Sequence, residues 1–372
     1  ENKLMAINNE LYFDNMNLHY LGMIYEQSYD YSDIFSLTRL ESTLGHYLKE
    51  REDFILSEMP SEKMKNLEHN FGLDFYFLQI DFYFEKSIIY YDKILGERTK
   101  GYKDYFSSYF NIFDFNIFYE YKNYNAPYLF SVFSTPPIGF REASSVLISR
   151  NLHSPDFNNE YGHQLEISKS FFNSSNFLFS YALALRHDEN HERVRISETF
   201  FDFLDEDKFL SFSEHYPFRQ IYLEYNGWGR KDKMYYKVGY DNYYEITNLK
   251  TIFAETIPIQ LSYNLKNANS LSIYIEMQKK IEKHIDPNIE YDYFYFSPSF
   301  NYGGKWLITA FADIENQEDP WYGIDYTYNF KNASQLSIFY GSQRGGLVCA
   351  NGSCVMQPDF EDGFKLTYLV SM

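Results

Sequence analysis

Long apolar runs are missing from this sequence. Nowhere does it hold the roughly 18 consecutive apolar residues that a membrane-crossing helix needs, and its mean hydropathy is negative. A helical membrane protein is therefore excluded. Cysteine is almost absent, with only Cys349 and Cys354, which rules out a disulfide-dense miniature scaffold and leaves no second cysteine or histidine pair nearby to complete a zinc site. Positive charge is scarce: 33 Lys and Arg face 52 Asp and Glu, for a net charge of −19, so a nucleic-acid partner is not expected. No Gly-x-Ser-x-Gly nucleophile motif occurs, and the nine histidines are scattered, so nothing marks a hydrolytic site. Two of them stand four apart in His187-Asp188-Glu189-Asn190-His191-Glu192. Asp follows the first His, so this is not the zinc-protease His-Glu-x-x-His pattern, and it reads as a solvated loop rim. Asp205-Glu206-Asp207 lacks the spaced ligands and glycine of a calcium loop. The sequence thus points to no enzyme, no metal and no cofactor.

What is abundant is aromatic. Phe, Tyr and Trp make up 21% of the chain, with 38 Tyr and 36 Phe against 3 Trp. Much of this lies in strictly alternating segments. Leu271, Ile273, Ile275 and Met277 fall on one side of a period-two pattern, and Ser272, Tyr274, Glu276 and Gln278 on the other. The same alternation recurs in 322–330, 336–341 and 364–370. Period two is the mark of a strand with one apolar and one polar face. A soluble sheet would need a second apolar layer to cover such a face, and the sequence offers none. The expectation is an all-β, antiparallel up-and-down transmembrane β-barrel of about 16–18 strands, apolar toward lipid and polar toward a lumen. A hydropathy scan misses such a fold because every second residue is polar.

Connections alternate in kind. Tight turns are expected at 14–15, near 78, at 113–114, 173–175, 229–232, 266–268, 303–304 and 331–333. Longer connections lie between them, including 93–102 and 344–359, and the three longest are 29–65, 125–160 and 189–218. Short periplasmic turns opposite long extracellular loops are the outer-membrane arrangement. The whole of 1–372 then forms a single barrel domain. The reading gives 17 strands and, by parity, a first strand that begins outside. Barrels of this kind usually hold an even number, so the native chain is expected to start upstream of Glu1. Leu37, Leu40, Leu44 and Leu48 recur at helical spacing in the first long loop, and 200–212 collects five Phe beside acidic residues.

By register, the lumen face would carry Glu166, Glu224, Lys237, Asp241, Glu276, Lys280, Asp313, Asp325 and Lys365. An acidic excess along a water-filled wall implies weak cation preference. Cys349 and Cys354 flank a short span containing Asn351-Gly352, which favours a tight reversal. An even cysteine count in an envelope protein suggests a disulfide between them.

The run from Tyr340-Gly341 through Arg344-Gly345-Gly346-Leu347-Val348-Cys349 to Cys354, with the closing strand around Phe364, resembles the end of an uncharacterised outer-membrane barrel family of Bacteroidota-type bacteria. That family has a Tyr-Gly-x-x-Arg-Gly-Gly-Leu-x-Cys hairpin and a second cysteine five residues on. Ile24-Tyr25-Glu26-Gln27 is similar, with one difference, to the end of an early strand of the family. The resemblance implies a barrel in the bacterial outer membrane, in contact with its lipid, and implies no biochemical activity. Two functions follow as expectations: a porin-like passive channel for small solutes, or a closed or plugged barrel acting as a structural, partner-binding subunit that meets envelope proteins through its extracellular loops.

Overall fold

The computed structural model describes residues 3–30, 61–94, 97–125, 145–151, 153, 159–172, 174–187, 217–246, 250–283, 288–316, 319–330, 334–350 and 353–370. The leucine-spaced segment of the first long loop, the Phe-rich stretch 200–212, His191 and Asp205–Asp207 lie outside the described residues.

The strands run β1 Lys3–Phe13, β2 Met16–Asp30, β3 Ser61–Phe77, β4 Ile80–Ile94, β5 Glu97–Ile112 and β6 Phe115–Asn125. A one-turn helix, α1, follows at Val146–Ser149. Then come β7 Asn159–Phe171, β8 Ser175–Leu185, β9 Phe218–Gly229, β10 Met234–Ile246, β11 Thr251–Asn264, β12 Ser270–Lys283 and β13 Asn288–Tyr302. The chain ends with β14 Trp306–Glu315, β15 Trp321–Asn329, β16 Gln335–Gln343, β17 Gly346–Ala350, β18 Ser353–Gln357 and β19 Phe360–Leu369. Seventeen of these strands belong to one sheet, and β17 and β18 form a separate two-stranded ribbon. The expected all-β, antiparallel up-and-down architecture is what the structure has.

Two compact units divide the contacts. The first comprises Glu1–Ile138, Ser154–Leu165 and Ala182–Pro217, and the second Gly139–His153, Glu166–Tyr181 and Phe218–Met372. In the first, β1 to β6 pair antiparallel, each with the next in the chain. In the second, β9 to β16 do the same and β16 then pairs with β19.

Two segments read as long connections are largely strand. Within 93–102, β4 runs to Ile94 and β5 starts at Glu97. From Glu97 to Lys100 four polar residues follow one another, so the period-two signal vanishes although the ladder continues. Within 344–359 the chain makes the β17–β18 hairpin.

Proline marks two gaps in the ladders. The β10–β11 pairing is regular up to Val238↔Ile259 and resumes at Asp241↔Thr256, skipping Pro258. The β13–β14 pairing likewise skips Pro298. Proline has no N–H to give a ladder. Opposite Pro258 stands Gly239, where a Cβ would come within 3.0 Å of the proline ring. Beside Pro298, the Ser297 hydroxyl donates to the Ala310 carbonyl at 3.0 Å and occupies the acceptor the proline cannot serve. Between these gaps, β11, β12 and β13 are paired without interruption.

Burial in each unit is inverted relative to a water-soluble protein. In the second unit Glu224, Asp241, Glu276, Gln278, Asp313 and Glu315 are buried, while Ile257, Leu261, Leu271, Met277, Ile324 and Ile338 are exposed. In the first, Glu68, Glu85, Lys103, Glu120, Lys122 and Glu160 are buried, and Leu67, Phe71, Phe84 and Tyr90 are exposed. Charged groups are almost never fully buried in water-soluble proteins unless paired, so in these strands one face carries the ions and the other the hydrocarbon.

Candidate functional site

The densest polar construction lies in the second unit, where residues 145–153 rest on the buried face of β10–β14. α1 is too short to hold itself by its own backbone bonds, and its donors go elsewhere. Ser145 caps it by accepting from the Ile148 N–H at 3.2 Å. Glu276 of β12 accepts from the Val146 N–H at 2.8 Å and the Leu147 N–H at 2.6 Å. The Gln278 amide donates to the Leu147 carbonyl at 3.1 Å and to the Thr256 hydroxyl at 2.7 Å. Leu147 and Ile148 are buried. Beyond the helix, Arg150 forms a two-pronged ion pair with Asp313 of β14, the geometry in which a guanidinium binds a carboxylate best. His153 meets Glu245 of β10 at 2.7 Å and stacks on Phe218 with ring centres 4.1 Å apart.

A second anchor comes from the chain just before β17. Gly341 has φ of +131°, a bulge follows it between Gly341 and Gln343, and a Cβ there would collide with the Tyr322 backbone. The extra residue belongs to the partner strand, where Glu361 and Asp362 of β19 stand opposite the single Ser342, so the bulge exchanges the faces of β19 and leaves those of β16 in order. Before it, the odd residue Phe339 is buried and the even residue Tyr340 exposed. Arg344, just beyond the end of β16, donates to Glu315 at 2.6 Å with Asp313 3.8 Å away. Arg150 and Arg344 both lie over the Tyr293 ring, at 5.8 and 5.9 Å.

The residues expected on the lumen face fall as follows. Glu224, Lys237, Asp241, Glu276 and Asp313 are buried. Glu166, Lys280 and Asp325 are half-buried, and Lys365 is exposed. Glu224 and Lys237 pair at 3.5 Å. Gln220 donates to Asp241 at 2.7 Å. Lys280 shares Glu282 with Lys250, each at 2.8 Å. Asp325 accepts from the hydroxyls of Thr327 and Ser337. The structure brings Glu276 and Asp313 together beneath one segment, 145–153, and leaves Lys365 apart from it.

Sequence reasoning missed Arg150, His153, Glu245, Glu315 and Arg344. Only Arg344 carried a signal, through its place in the resemblance motif. In the first unit charges pair as well: the buried Lys122 with Glu160, the half-buried Lys86 with Asp104 at 2.5 Å, and Asn70 donating to the buried Glu85 at 2.6 Å. His187 is buried against the rings of Tyr161 and Tyr102. Among the described residues, no three metal-ligating side chains converge. What the charged face can do is hold mobile ions and polar groups near fixed carboxylates and guanidinium groups.

No curated protein matches this sequence. Among solved structures the chain is similar to a triple mutant of the porin of Rh. blastica, with 10% identity over 91% of this chain and 94% of that one and a TM-score of 0.34. A second Rhodopseudomonas blastica porin triple mutant gives 11% identity over 91% and 94%, with a TM-score of 0.35. A structure titled for the asymmetric conductivity of engineered proteins gives 10% over 92% and 94%, with a TM-score of 0.35. Residues 106–372 match a family model described as a family of unknown function, DUF6029, and the chain belongs to that family.

Proposed function

We propose that this chain is an outer-membrane β-barrel of a Gram-negative, Bacteroidota-type bacterium and works as a porin-like passive channel for small solutes. The observation that carries the proposal is the inversion of burial. Leaving a Leu, Ile, Phe or Met side chain in water instead of burying it costs about 1.5–3 kcal/mol. Exposed positions such as Leu261, Leu271, Met277, Ile324 and Ile338 would together offset much of a domain's net stability, about 5–15 kcal/mol. Hydrocarbon around the wall removes that cost. Within such a barrel the charged face lines the lumen, and residues 145–153 narrow it. Diffusion requires no bond to break, so the reading assigns no catalytic residue.

The second reading is a plugged barrel serving as a structural, partner-binding subunit. The several anchors of 145–153, from Glu276 to Arg150 and His153, favour it to the extent that they hold the segment shut. Planar-bilayer conductance of the purified protein under a salt gradient separates the two. The channel reading expects steady openings with cation preference, set by the lumen carboxylates. Silence from a folded, heat-modifiable protein supports the plugged barrel, and co-purification of envelope proteins is then the next measurement.

The same envelope location makes a disulfide between Cys349 and Cys354 part of the proposal. The backbone register sets these two residues opposite each other across β17 and β18, and facing residues of an antiparallel pair are separated by about the 4.4–6.8 Å that a disulfide spans.

A further inference from the structure

Two hairpin tips of the first unit break the rules for such turns in the same way. β3 and β4 are joined by Leu78-Gln79, and β5 and β6 by Phe113-Asp114. All four residues have positive φ: 50°, 65°, 51° and 64°. Two-residue turns of this kind favour Asn-Gly because a side chain is strained there, a bulky one most of all. The chain can supply the easier residues, as Gly303-Gly304 shows at +58° and +68°. Instead it places Leu78 and Phe113 at the tips, 75% and 86% exposed. Strain and exposed hydrocarbon are thus paid together, twice.

The register shows what these tips adjoin. Phe77 pairs with Ile80, Ile80 with Phe110 and Phe110 with Ile117, which makes one apolar row across four strands. Ile112 and Phe115 extend it toward the second tip. Behind it stand Phe75 and Phe82, stacked with ring centres 4.6 Å apart. Along the β3–β4 hairpin the first charge on this face is Lys86, opposite Phe71. On this face the hydrocarbon therefore runs out to the tips, and the polar groups beside the second tip, the paired Asn111 and Asn116, belong to the opposite face. A protein partner docking at the turns would be expected to find polar groups around an apolar centre, whereas uninterrupted hydrocarbon matches acyl chains.

We propose that Leu78 and Phe113 are membrane anchors, inserted into the acyl-chain region of the leaflet at the turn end of the barrel and holding that end at a fixed depth. This rests on the membrane-spanning reading above. The test uses three single variants in phosphatidylcholine vesicles: Leu78→Trp, Phe113→Trp and, as a reference on the exposed face away from the tips, Phe84→Trp. The unmodified protein supplies the background of Trp228, Trp306 and Trp321. The expected result is that vesicles with brominated acyl chains quench most of the added emission of all three variants, and that aqueous iodide quenches none of it. If Phe84→Trp is quenched by the brominated chains while both tips are quenched by iodide, the anchor proposal is overturned and the membrane reading stands, with a protein partner as the occupant of the tips. If Phe84→Trp itself escapes the brominated chains, the membrane reading is overturned and the anchor goes with it.

Discussion

Gly341 shows how one residue can decide a local backbone path, with the Tyr322 backbone packed where a side chain would stand. Its φ of +131° is open to glycine and costly for anything else, about 1–3 kcal/mol for a strained non-glycine residue. Gly341→Val should lower the thermal stability of the folded form by an amount in that range, read as a shift of the heat-modified band in electrophoresis. It should also withdraw Arg344 from Glu315 and change ion selectivity, whereas Val at the exposed position Ile338 should change neither. The Lys122–Glu160 pair, with both side chains 2% exposed, supports a second test. Removing one partner strands a buried charge, and Lys122→Met should cost about 3–5 kcal/mol. Replacing both by apolar residues of similar volume should recover most of that loss. At this scale regular alternation sets Glu224, Asp241, Glu276 and Asp313 on the polar side of their strands, and all four are buried. The sequence was not legible for Arg344, which lies in the connection after β16, where no alternation assigns a face. Lys365, placed inward by alternation, is exposed.

Elements were easier to read than residues. The strands and turns of the second unit emerge from the sequence almost as the structure has them, since each carries ten or so residues of clean alternation. Strand length was underestimated between Tyr91 and Lys103, where β4 and β5 run on through polar sequence that no longer alternates. α1 left no trace. Four helical residues cannot show a 3.6-residue period, and they are held by Glu276 and Gln278, which lie far away in the chain. Segment 145–153 is accordingly the element whose removal from the charged face should matter most. Arg150→Ala together with His153→Ala deletes two anchors and leaves Glu276 in place. In planar bilayers the expected outcome is larger and noisier openings than those of the unmodified protein, with some loss of thermal stability because the buried Asp313 keeps only the more distant Arg344. Conductance that stays the same would mean that the segment does not narrow the path. In the β17–β18 ribbon, non-reducing mass spectrometry should find Cys349 linked to Cys354. Reduction should cost less than the roughly 3 kcal/mol associated with a 15-residue loop, because the loop is shorter.

For the molecule as a whole, the architecture is legible in what the chain could not be: too polar for helical spans and too apolar on alternate positions for water. Proteolysis offers a direct check at this scale. Lys279, Lys280 and Lys283 lie within β12, and trypsin should leave them intact in folded protein in membranes. The proline gaps on either side of the β11–β13 block carry a different consequence. Opening of a native protein proceeds through cooperative groups of hydrogen bonds rather than bond by bond, and a ladder is easiest to part where it is already incomplete. β11, β12 and β13, fully laddered to one another and bounded by Pro258 and Pro298, should therefore exchange their amide hydrogens as one slow cohort, with the seams at the prolines exchanging first. Glu276, which holds α1, stands in the middle strand of that cohort, so the inward segment is tied to the part of the wall that would be the last to let go.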